Sequence, residues 1–265
     1  FTSAQPAIQN AASFLFTFQT EEGDFRGIYR NQYSPNYSAG IMELLIKAGY
    51  QDDPPIHRGF AWLLSMRQAD GGWAVPARTG AGKGAGRIKD AFLAEETIQP
   101  DRSKPFSHWC TGVVLRAFVA HPEYRSAPEA RHAGELLKSR FFQRDKYTDR
   151  QAAYFWEKIR YPFWWTDILS ALDSLSWLEF SKDDPDIGRG LDWLVGNQGE
   201  TGLWEARYLT GGDRDIHLWT TLGVCRVLKR FLGGLTGRAD PRPEGDGAKV
   251  GHPGELSSRG CERPA

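Results

Sequence analysis

The sequence has few cysteines, and the three that are present lie far apart. They are Cys110, Cys225 and Cys261 in a chain of 265 residues. An odd number of cysteines at such wide spacing argues against a disulfide framework and is typical of a reducing compartment. We therefore expect a cytoplasmic protein, and attachment to the surface of a membrane is the alternative.

The sequence also lacks an excess of charge of either sign. Lysine and arginine together number 33, aspartate and glutamate together number 33, and the formal net charge is zero. Proteins bind nucleic acids and anionic membrane surfaces largely through positive charge. The charge balance therefore gives no support to a nucleic-acid partner.

Long apolar runs are missing as well. No run approaches the roughly 20 residues that a bilayer-spanning helix requires, so we expect no transmembrane segment. The apolar stretch from Phe14 to Phe18 is too short for the core of a signal peptide, and no basic segment precedes it. These observations predict a globular chain rather than one that spans a membrane.

Tryptophan is abundant by contrast, with ten residues, and three short stretches repeat one order of residues. Gln19–Phe25, Gln68–Trp73 and Gln198–Trp204 each contain glutamine, a short polar spacer, glycine, and then tryptophan or phenylalanine. Each stretch follows a segment in which apolar residues recur at helical spacing. The chain is therefore predicted to repeat one supersecondary unit.

Each residue type in this turn has a physical role. Glycine adopts a positive φ at the end of a helix, where other residues are strained. The glutamine amide has two donors and an acceptor with which to tie the helix end to the backbone of the next segment. The aromatic ring buries a large area between neighbouring helices. We therefore expect these turns to join helices that pack closely together.

Apolar spacing predicts eight helices of two alternating kinds. The amphipathic helices cover about 6–18, 55–67, 127–142 and 185–197, and the more apolar helices cover about 37–48, 107–120, 162–178 and 215–232. Helices that are apolar nearly all round are buried. We therefore place the apolar helices inside and the amphipathic helices outside, and call them the inner and outer helices. Short links make neighbours antiparallel, so the N-termini of the inner helices should gather at one rim.

The helical pattern defines one domain over residues 1–232. Residues 77–105 interrupt the pattern with a glycine-rich stretch, and we expect a flexible insertion there. Residues 233–265 contain many glycine, proline and charged residues and few apolar ones. Such a composition predicts a disordered C-terminal tail.

The repeated turns resemble the QW repeat of squalene and oxidosqualene cyclases and the related repeat of protein prenyltransferase β subunits. The resemblance covers most of residues 5–232 and implies an all-α fold, an (α/α) toroid of alternating inner and outer helices. Those families close their rings with six helix pairs, whereas about four pairs are visible here. A smaller or open toroid, or repeats missing before residue 1, would explain the difference.

The resemblance also implies a function. A toroid of this kind would bind an isoprenoid or a similar apolar molecule in a central aromatic cavity. A further expectation is that it transforms the molecule, as a terpene cyclase or a prenyltransferase does. A non-catalytic toroid that binds a ligand or a protein partner is the alternative.

Candidate site residues stand in the first turns of the inner helices. Polar, titratable side chains lie there among aromatic ones in otherwise apolar segments. The candidates for ligand binding are Tyr37, Trp109, Trp164, Trp165 and Trp219, and the candidates for catalysis are Asp167, His108 and His217. Converging helix N-termini would also favour an anionic ligand group such as the diphosphate of an isoprenoid diphosphate.

Asp167 is the candidate acid for a cyclisation, in which a carboxylic acid protonates an alkene and aromatic faces stabilise the cation. Burial among aromatic residues would raise its pKa. The Asp-x-Asp-Asp motif of squalene cyclases is absent, and Asp167 equally fits the role of a helix cap. A carbohydrate-active toroid is another alternative, with Asp167, Asp173 and Glu43 as the available carboxylates.

His108, Cys110 and His217 are candidate zinc ligands. Protein prenyltransferases supply an aspartate and a cysteine two residues apart and a histidine from a later helix, and here His108 takes the place of the aspartate. Residues two apart on a regular helix diverge by about 200°, so both would bind only if the helix began at or after Trp109. Alternatively, the histidines bond to neighbouring helix ends and Cys110 is a small buried residue. We expect no cofactor, with zinc as the alternative.

Overall fold

The computed structural model describes most residues up to position 233. The described residues are 2–26, 29–80, 88–91, 93–147, 151–160, 163, 165–206 and 215–233. Phe1–Gly234 form one unit by their internal contacts. Apart from Gly233, the tail predicted for residues 233–265 lies outside the described residues, and so does Trp164.

The described residues are mainly helical, and the all-α prediction is confirmed. The α-helices are α1 (Pro6–Phe16), α2 (Pro35–Leu45), α3 (Pro54–Ser65), α4 (Pro76–Thr79), α5 (Ile88–Ala91), α6 (His108–Ala120), α7 (Pro122–Arg125), α8 (Pro128–Lys138), α9 (Ile168–Trp177), α10 (Pro185–Gly196) and α11 (Ile216–Leu232). A π-helical turn, Ile46–Tyr50, continues α2, and a 3-10 turn spans Ala153–Glu157. Within the described ranges, β-structure is limited to an isolated bridge between Gln19 and Phe25, and no helix is long and apolar enough to cross a membrane.

Proline marks the start of most of these helices. Seven α-helices of the described chain begin with proline, namely α1 to α4, α7, α8 and α10. Proline lacks an N–H group, and first-turn N–H groups have no partner within the helix, so proline loses nothing there. Side-chain caps start α6 and α9 instead. Ser107 accepts from the backbone N–H of Cys110, and Asp167 accepts from that of Ser170.

The helices predicted to lie inside differ in their burial. In α6 every residue except Trp109 and Ala120 is buried, and in α9 every residue except Asp173 and Trp177 is buried. The last inner helix, α11, buries a single stripe of side chains. The stripe consists of Ile216, Thr220, Val224, Val227 and Phe231. Contrary to the prediction, α11 is therefore amphipathic and leaves one face exposed.

The inner helices contact one another in chain order. α2 packs on α6, α6 on α9, and α9 on α11. The outer helices pack on this series, with α3 on α2, α8 on both α6 and α9, and α10 on α9. The contacts therefore follow the predicted alternation of inner and outer helices, whereas closure into a ring stays a prediction.

The three repeated turns share one backbone conformation. Gly23, Gly71 and Gly202 have φ values of +109°, +95° and +79°. The glutamine amides donate to backbone carbonyl groups, Gln19 to Gly23 and Pro55, Gln68 to Asp101 and Lys104, and Gln198 to Gly202. The expected positive φ is confirmed, although the glycines lie in the turns beyond the helix ends, and the bond of Gln198 stays within its own turn.

The aromatic residue of each turn is buried, and the two tryptophans are each hydrogen-bonded to two helices. The indole Nε1 of Trp73 donates to the carbonyl of Leu63 at 2.7 Å, and that of Trp204 donates to the carbonyl of Leu194 at 2.6 Å. The backbone N–H of each aromatic residue donates to a hydroxyl of the next inner helix. The pairs are Phe25 with Ser38 at 3.1 Å, Trp73 with Thr111 at 2.9 Å and Trp204 with Thr221 at 3.0 Å. We call this contact the hydroxyl clasp.

A fourth turn, at Gln143, lacks the glycine and the aromatic residue but keeps part of the arrangement. Trp156 of the 3-10 turn donates its indole Nε1 to the carbonyl of Gln143 at 3.0 Å. The Oδ2 atom of Asp145 accepts from the hydroxyl of Ser107 and from the backbone N–H of Trp109 at the start of α6. The array therefore continues through this turn with different residues.

The ends of the predicted insertion pack against the rest of the chain. Ala77 and Ile98 are buried. The side chain of Gln32 donates to the carbonyl of Glu96 at 2.9 Å and accepts from the backbone N–H of Ile98 at 2.9 Å. Residues 81–87, which form most of the glycine-rich part, lie outside the described residues, and so does residue 92.

Candidate functional site

A cavity of about 470 Å³ lies among the inner helices. Residues of α2, α6, α9 and α11 line it, together with Phe163 and with Lys47 from the π-helical turn. Cavities that hold small molecules typically have volumes of roughly 300–1,000 Å³ and combine apolar walls with a few polar groups. We call this space the inner cavity and treat it as the candidate site.

Three aromatic residues form much of the apolar wall of the inner cavity. They are Trp109 from α6, Trp177 from α9, and Phe163. The guanidinium of Arg116 lies 5.9 Å from the ring centroid of Phe163, and that of Arg230 lies 5.1 Å from the ring of Trp177. Aromatic faces attract cations at such distances, so the rings also hold the two arginines in the wall.

A buried ion pair joins α2 to α6 in the wall of the inner cavity. The Nε atom of Arg116 donates to Oε2 of Glu43 at 2.8 Å, and Lys47 donates to Oε1 of Glu43 at 2.6 Å. Burial raises the pKa of Glu43, but Arg116 and Lys47 outweigh it and leave the pKa below its ordinary value. Glu43 is therefore an ionised anchor rather than a proton donor at neutral pH.

A second ion pair joins α9 to α11. Asp173 accepts from the guanidinium of Arg230, whose Nε also donates to the hydroxyl of Ser176 at 2.6 Å. Arg226 lies one turn earlier on α11, lines the inner cavity, and is exposed. Both carboxylates of the wall are thus paired. The wall contains three arginines and one lysine, so positive side chains outnumber negative ones.

Two of the predicted ligand-binding residues line the inner cavity. Tyr37 lies in the first turn of α2, and Trp109 in the first turn of α6. The indole Nε1 of Trp109 is buried and has no hydrogen-bond partner among the described residues. Both residues are placed to contact a ligand, and their role in binding stays a prediction.

The other predicted aromatic residues do not line the inner cavity in the described part of the chain. Trp165 is 1% exposed and packs edge-on against Phe155, with 6.4 Å between ring centroids. Trp219 is 52% exposed on the open face of α11, because α11 has no inner neighbour on that side among the described helices. Trp164 lies outside the described residues.

Asp167 caps a helix. It is fully buried at the start of α9, where Oδ1 accepts from the backbone N–H of Ser170 at 2.8 Å and Oδ2 from that of Arg160 at 3.0 Å. Burial raises the pKa of Asp167 to about 6, although these hydrogen bonds act to lower it. The expected rise in pKa is confirmed. Asp167 is not among the described residues that line the inner cavity, so the geometry favours the capping role over the catalytic one.

His108 contacts the turn at Gln143. Its Nδ1 lies 3.5 Å from Oδ2 of Asp145, and its ring lies against Trp156 with 4.5 Å between centroids. Burial lowers the pKa of His108 to about 4, so the ring is neutral at pH 7. These contacts attach the start of α6 to the following outer segment, as the alternative reading of this histidine expected.

The predicted zinc set is not brought together. Within the described ranges, no group of three or more histidine, cysteine, aspartate and glutamate residues is placed to hold a metal ion. Cys110 is buried in α6, and burial raises the pKa of its thiol. The Nδ1 atom of His217 accepts from the backbone N–H of Ala206 at 3.3 Å. Each of these residues therefore makes a local contact of its own.

The charged residues of the wall were the main feature that the sequence analysis missed. Arg116 is the one arginine or lysine in α6, whose other residues are mostly apolar. A charged side chain in a buried helix must be paired or must face a ligand. The same reasoning applies to Glu43 in α2 and Asp173 in α9, which were weighed only as catalytic carboxylates. Isolated charges in the inner helices were therefore the signal for this site.

No protein-family model matches the chain, and no curated protein matches it significantly. The function is therefore inferred from the inner cavity and its lining residues.

Proposed function

We propose that residues 1–232 form an (α/α) toroid, or part of one, resembling the squalene cyclase and prenyltransferase superfamily, which binds an isoprenoid or a similar apolar molecule. The observation that carries the proposal is the inner cavity, which is lined by all four inner helices. Its aromatic wall, with Trp109, Phe163 and Trp177, suits a long apolar molecule, because burial of apolar surface drives binding.

Binding is supported better than catalysis by the groups that line the inner cavity. An acid that protonates an alkene must hold its proton at working pH. Glu43 is held ionised by Arg116 and Lys47, and Asp173 is paired with Arg230. Asp167, the candidate acid chosen for its expected burial among aromatic residues, has both oxygens bonded to backbone N–H groups. We therefore propose a ligand-binding protein and keep turnover as an expectation for experiment.

Titration with farnesol, a neutral isoprenoid alcohol, tests the proposal directly. Gly40 lies in the wall of the inner cavity, and a Cβ at this position would meet no atom within 4 Å, so Gly40→Leu should fill the space without disturbing the fold. We expect the wild-type protein to bind farnesol, with quenching of tryptophan fluorescence, and Gly40→Leu to bind at least about tenfold more weakly.

Gly196→Leu is the matched control, because a Cβ there is equally free of contacts and the residue ends α10, outside the inner cavity. It should bind farnesol as the wild type does. Absence of farnesol binding by the wild type, or equal binding by Gly40→Leu, would refute the proposal. Incubation with squalene or farnesyl diphosphate, followed by product analysis, tests the separate expectation of turnover.

A further inference from the structure

The wall of the inner cavity carries an excess of positive charge. The charged lining residues are Lys47, Arg116, Arg226 and Arg230, and Glu43 and Asp173. Glu43 contacts Lys47 and Arg116, and Asp173 contacts Arg230. Two positive charges therefore have no carboxylate to balance them within the wall, and an apolar surface around them strengthens their attraction for an anion.

Arg116 carries the clearest sign of a missing partner. It is 9% exposed, and its Nε atom is occupied by Glu43 at 2.8 Å. Its Nη1 atom is buried and has no hydrogen-bond partner in the described part of the chain. Buried donors in native proteins are almost always bonded. Arg116 lines the inner cavity, but Nη1 itself is closed to solvent, so an acceptor in the cavity reaches it only after a shift of the side chain.

Arg226 supplies the second cation. It is exposed on α11, lines the inner cavity, and makes no ion pair with any described residue. Gly223 lies one turn before it in the same wall and has no side chain, which leaves room beside the guanidinium. Two helices therefore supply guanidinium donors to the inner cavity. Arg116 of α6 is buried in the wall, and Arg226 of α11 is exposed at its edge.

We infer that the ligand of the inner cavity is an amphipathic anion, an apolar chain that ends in a carboxylate or phosphate group held by Arg116 and Arg226. Guanidinium groups bind both kinds of oxyanion through short, charge-assisted hydrogen bonds. The apolar chain would lie against Trp109, Phe163 and Trp177. This inference rests on the proposed function and names the ligand class.

The position of this anion site differs from the one that the sequence suggested. Helix N-termini were expected to attract a diphosphate at the rim of the array. Arg116 instead lies in the ninth position of α6, and Arg226 lies past the middle of α11. Side-chain charge in the body of the helices, rather than the backbone at their ends, therefore sets the polar end of the site.

Three ligands with the same alkyl chain test the inference on the 265-residue protein. Dodecanol, dodecanoate and dodecyl phosphate are titrated separately at concentrations where each is monomeric, and binding is measured by calorimetry. We expect both anions, or one of them, to bind at least about tenfold more tightly than dodecanol, because a hydrogen bond to a charged group discriminates by about that factor. The stronger of the two anions distinguishes a fatty-acid source from a phosphate-ester source.

Arg226→Gln is the decisive variant, because Arg226 is exposed and its loss leaves no buried partner. It should weaken binding of the preferred anion by about tenfold and leave dodecanol binding unchanged. Lys229→Gln is the matched control on the exposed side of α11 and should change neither. Arg116→Lys, which keeps the charge opposite Glu43, should weaken anion binding in the same direction.

Two results would overturn the inference. In the first, dodecanol binds as tightly as both anions do. In the second, Arg226→Gln binds the preferred anion as tightly as the wild type does. In either case the proposed function would still stand if the wild type bound farnesol and Gly40→Leu weakened that binding. Failure of all three dodecyl ligands and of farnesol would reject the inference and the proposed function together.

Discussion

At the scale of single residues, Gly71 of the second repeated turn is required by both its backbone angle and its surroundings. Gly71 has a φ of +95°, which is strained for residues with a side chain. A Cβ on Gly71 would lie 2.4 Å from Cδ2 of His132, a distance at which the imidazole must move. The imidazole Nε2 lies 2.9 Å from the carbonyl of Asp70, so moving the ring would break this contact.

Gly71→Ala should therefore lower the free energy of unfolding by about 1–3 kcal/mol, the usual cost of a side chain in this region of φ. Gly40→Ala is the control, because Gly40 lies inside α2 and a Cβ there meets no atom within 4 Å. Alanine there should raise the free energy of unfolding by roughly 0.5–1 kcal/mol through its higher helix propensity. Urea unfolding of the three proteins measures both changes, and equal stability of Gly71→Ala and wild type would contradict the role of φ.

Single residues also show where the sequence was informative about the site and where it was not. Tyr37 and Trp109 were found because aromatic residues in the first turn of a buried helix stand out in any sequence. Trp219 has the same pattern but is exposed, because burial depends on whether another helix follows α11, and local spacing carries no such information. Arg116 was missed because attention to the N-terminal turns excluded charges in the middle of a helix.

At the scale of elements, indole hydrogen bonds hold two of the outer helices, α3 and α10, to the turns that follow them. Trp73 bonds to the carbonyl of Leu63 near the end of α3, and Trp204 bonds to that of Leu194 near the end of α10. The same two carbonyls also accept from the backbone N–H groups of Met66 and Asn197, so the indole is a second partner at the helix end. The tryptophan therefore acts as a C-terminal cap as well as a core residue.

Replacing Trp73 or Trp204 with phenylalanine keeps an aromatic ring but removes the donor. Each change should lower the free energy of unfolding by about 0.5–1.5 kcal/mol, because a buried hydrogen bond is lost while the carbonyl keeps its backbone partner, the N–H of Met66 or of Asn197. Trp219→Phe, in which the tryptophan is exposed, should change stability by less than about 0.5 kcal/mol. Denaturant unfolding provides the comparison, and similar losses for all three variants would show that the indole bonds contribute nothing special.

Helix boundaries were predictable where the cap lies in the sequence itself. Proline at the first position fixed the starts of α1, α3 and α10 to within a residue or so of the expected ones. The helix expected from residue 162 begins only at Ile168, because Asp167 and Ser170 form a capping box there. The apolar, aromatic segment before Asp167 also has helical spacing, so spacing alone does not show where the helix starts. The cap formed by Asp167 and Ser170 decides it.

At the scale of the whole molecule, two buried groups make stability depend on pH in opposite directions. Burial lowers the pKa of His108 to about 4 in the folded protein, whereas its pKa in the unfolded chain is near 6.5. Between these two pH values only the unfolded chain binds the proton, so stability falls as the pH falls. Burial raises the pKa of Asp167 to about 6, so between 6 and its unfolded value near 3.9 only the folded chain holds the proton, and stability rises with falling pH.

Asp167→Asn should expose this compensation. Asparagine keeps the cap bond to Ser170 but has no second oxygen for the N–H of Arg160, so the test is the pH dependence of its stability rather than its stability at neutral pH. Between about pH 7 and pH 4 it should lose stability relative to wild type by roughly 2–3 kcal/mol, since two pKa units correspond to about that difference. His108→Asn should shift the curve in the opposite sense. Urea unfolding across this pH range is the measurement, and parallel curves for the variants and wild type would contradict both assignments.

The hydroxyl clasps have a consequence for how the chain tolerates added sequence. The three clasps join residues that are 13, 38 and 17 positions apart, yet their hydrogen bonds measure 3.1, 2.9 and 3.0 Å. The segment between the two residues of a clasp therefore differs in length from turn to turn, while the clasp fixes where the next helix docks. Each doubling of the length of a flexible loop lowers the free energy of unfolding by only about 0.6 kcal/mol. The links between a turn aromatic and its clasp hydroxyl are thus natural places to graft a foreign peptide or a reporter domain.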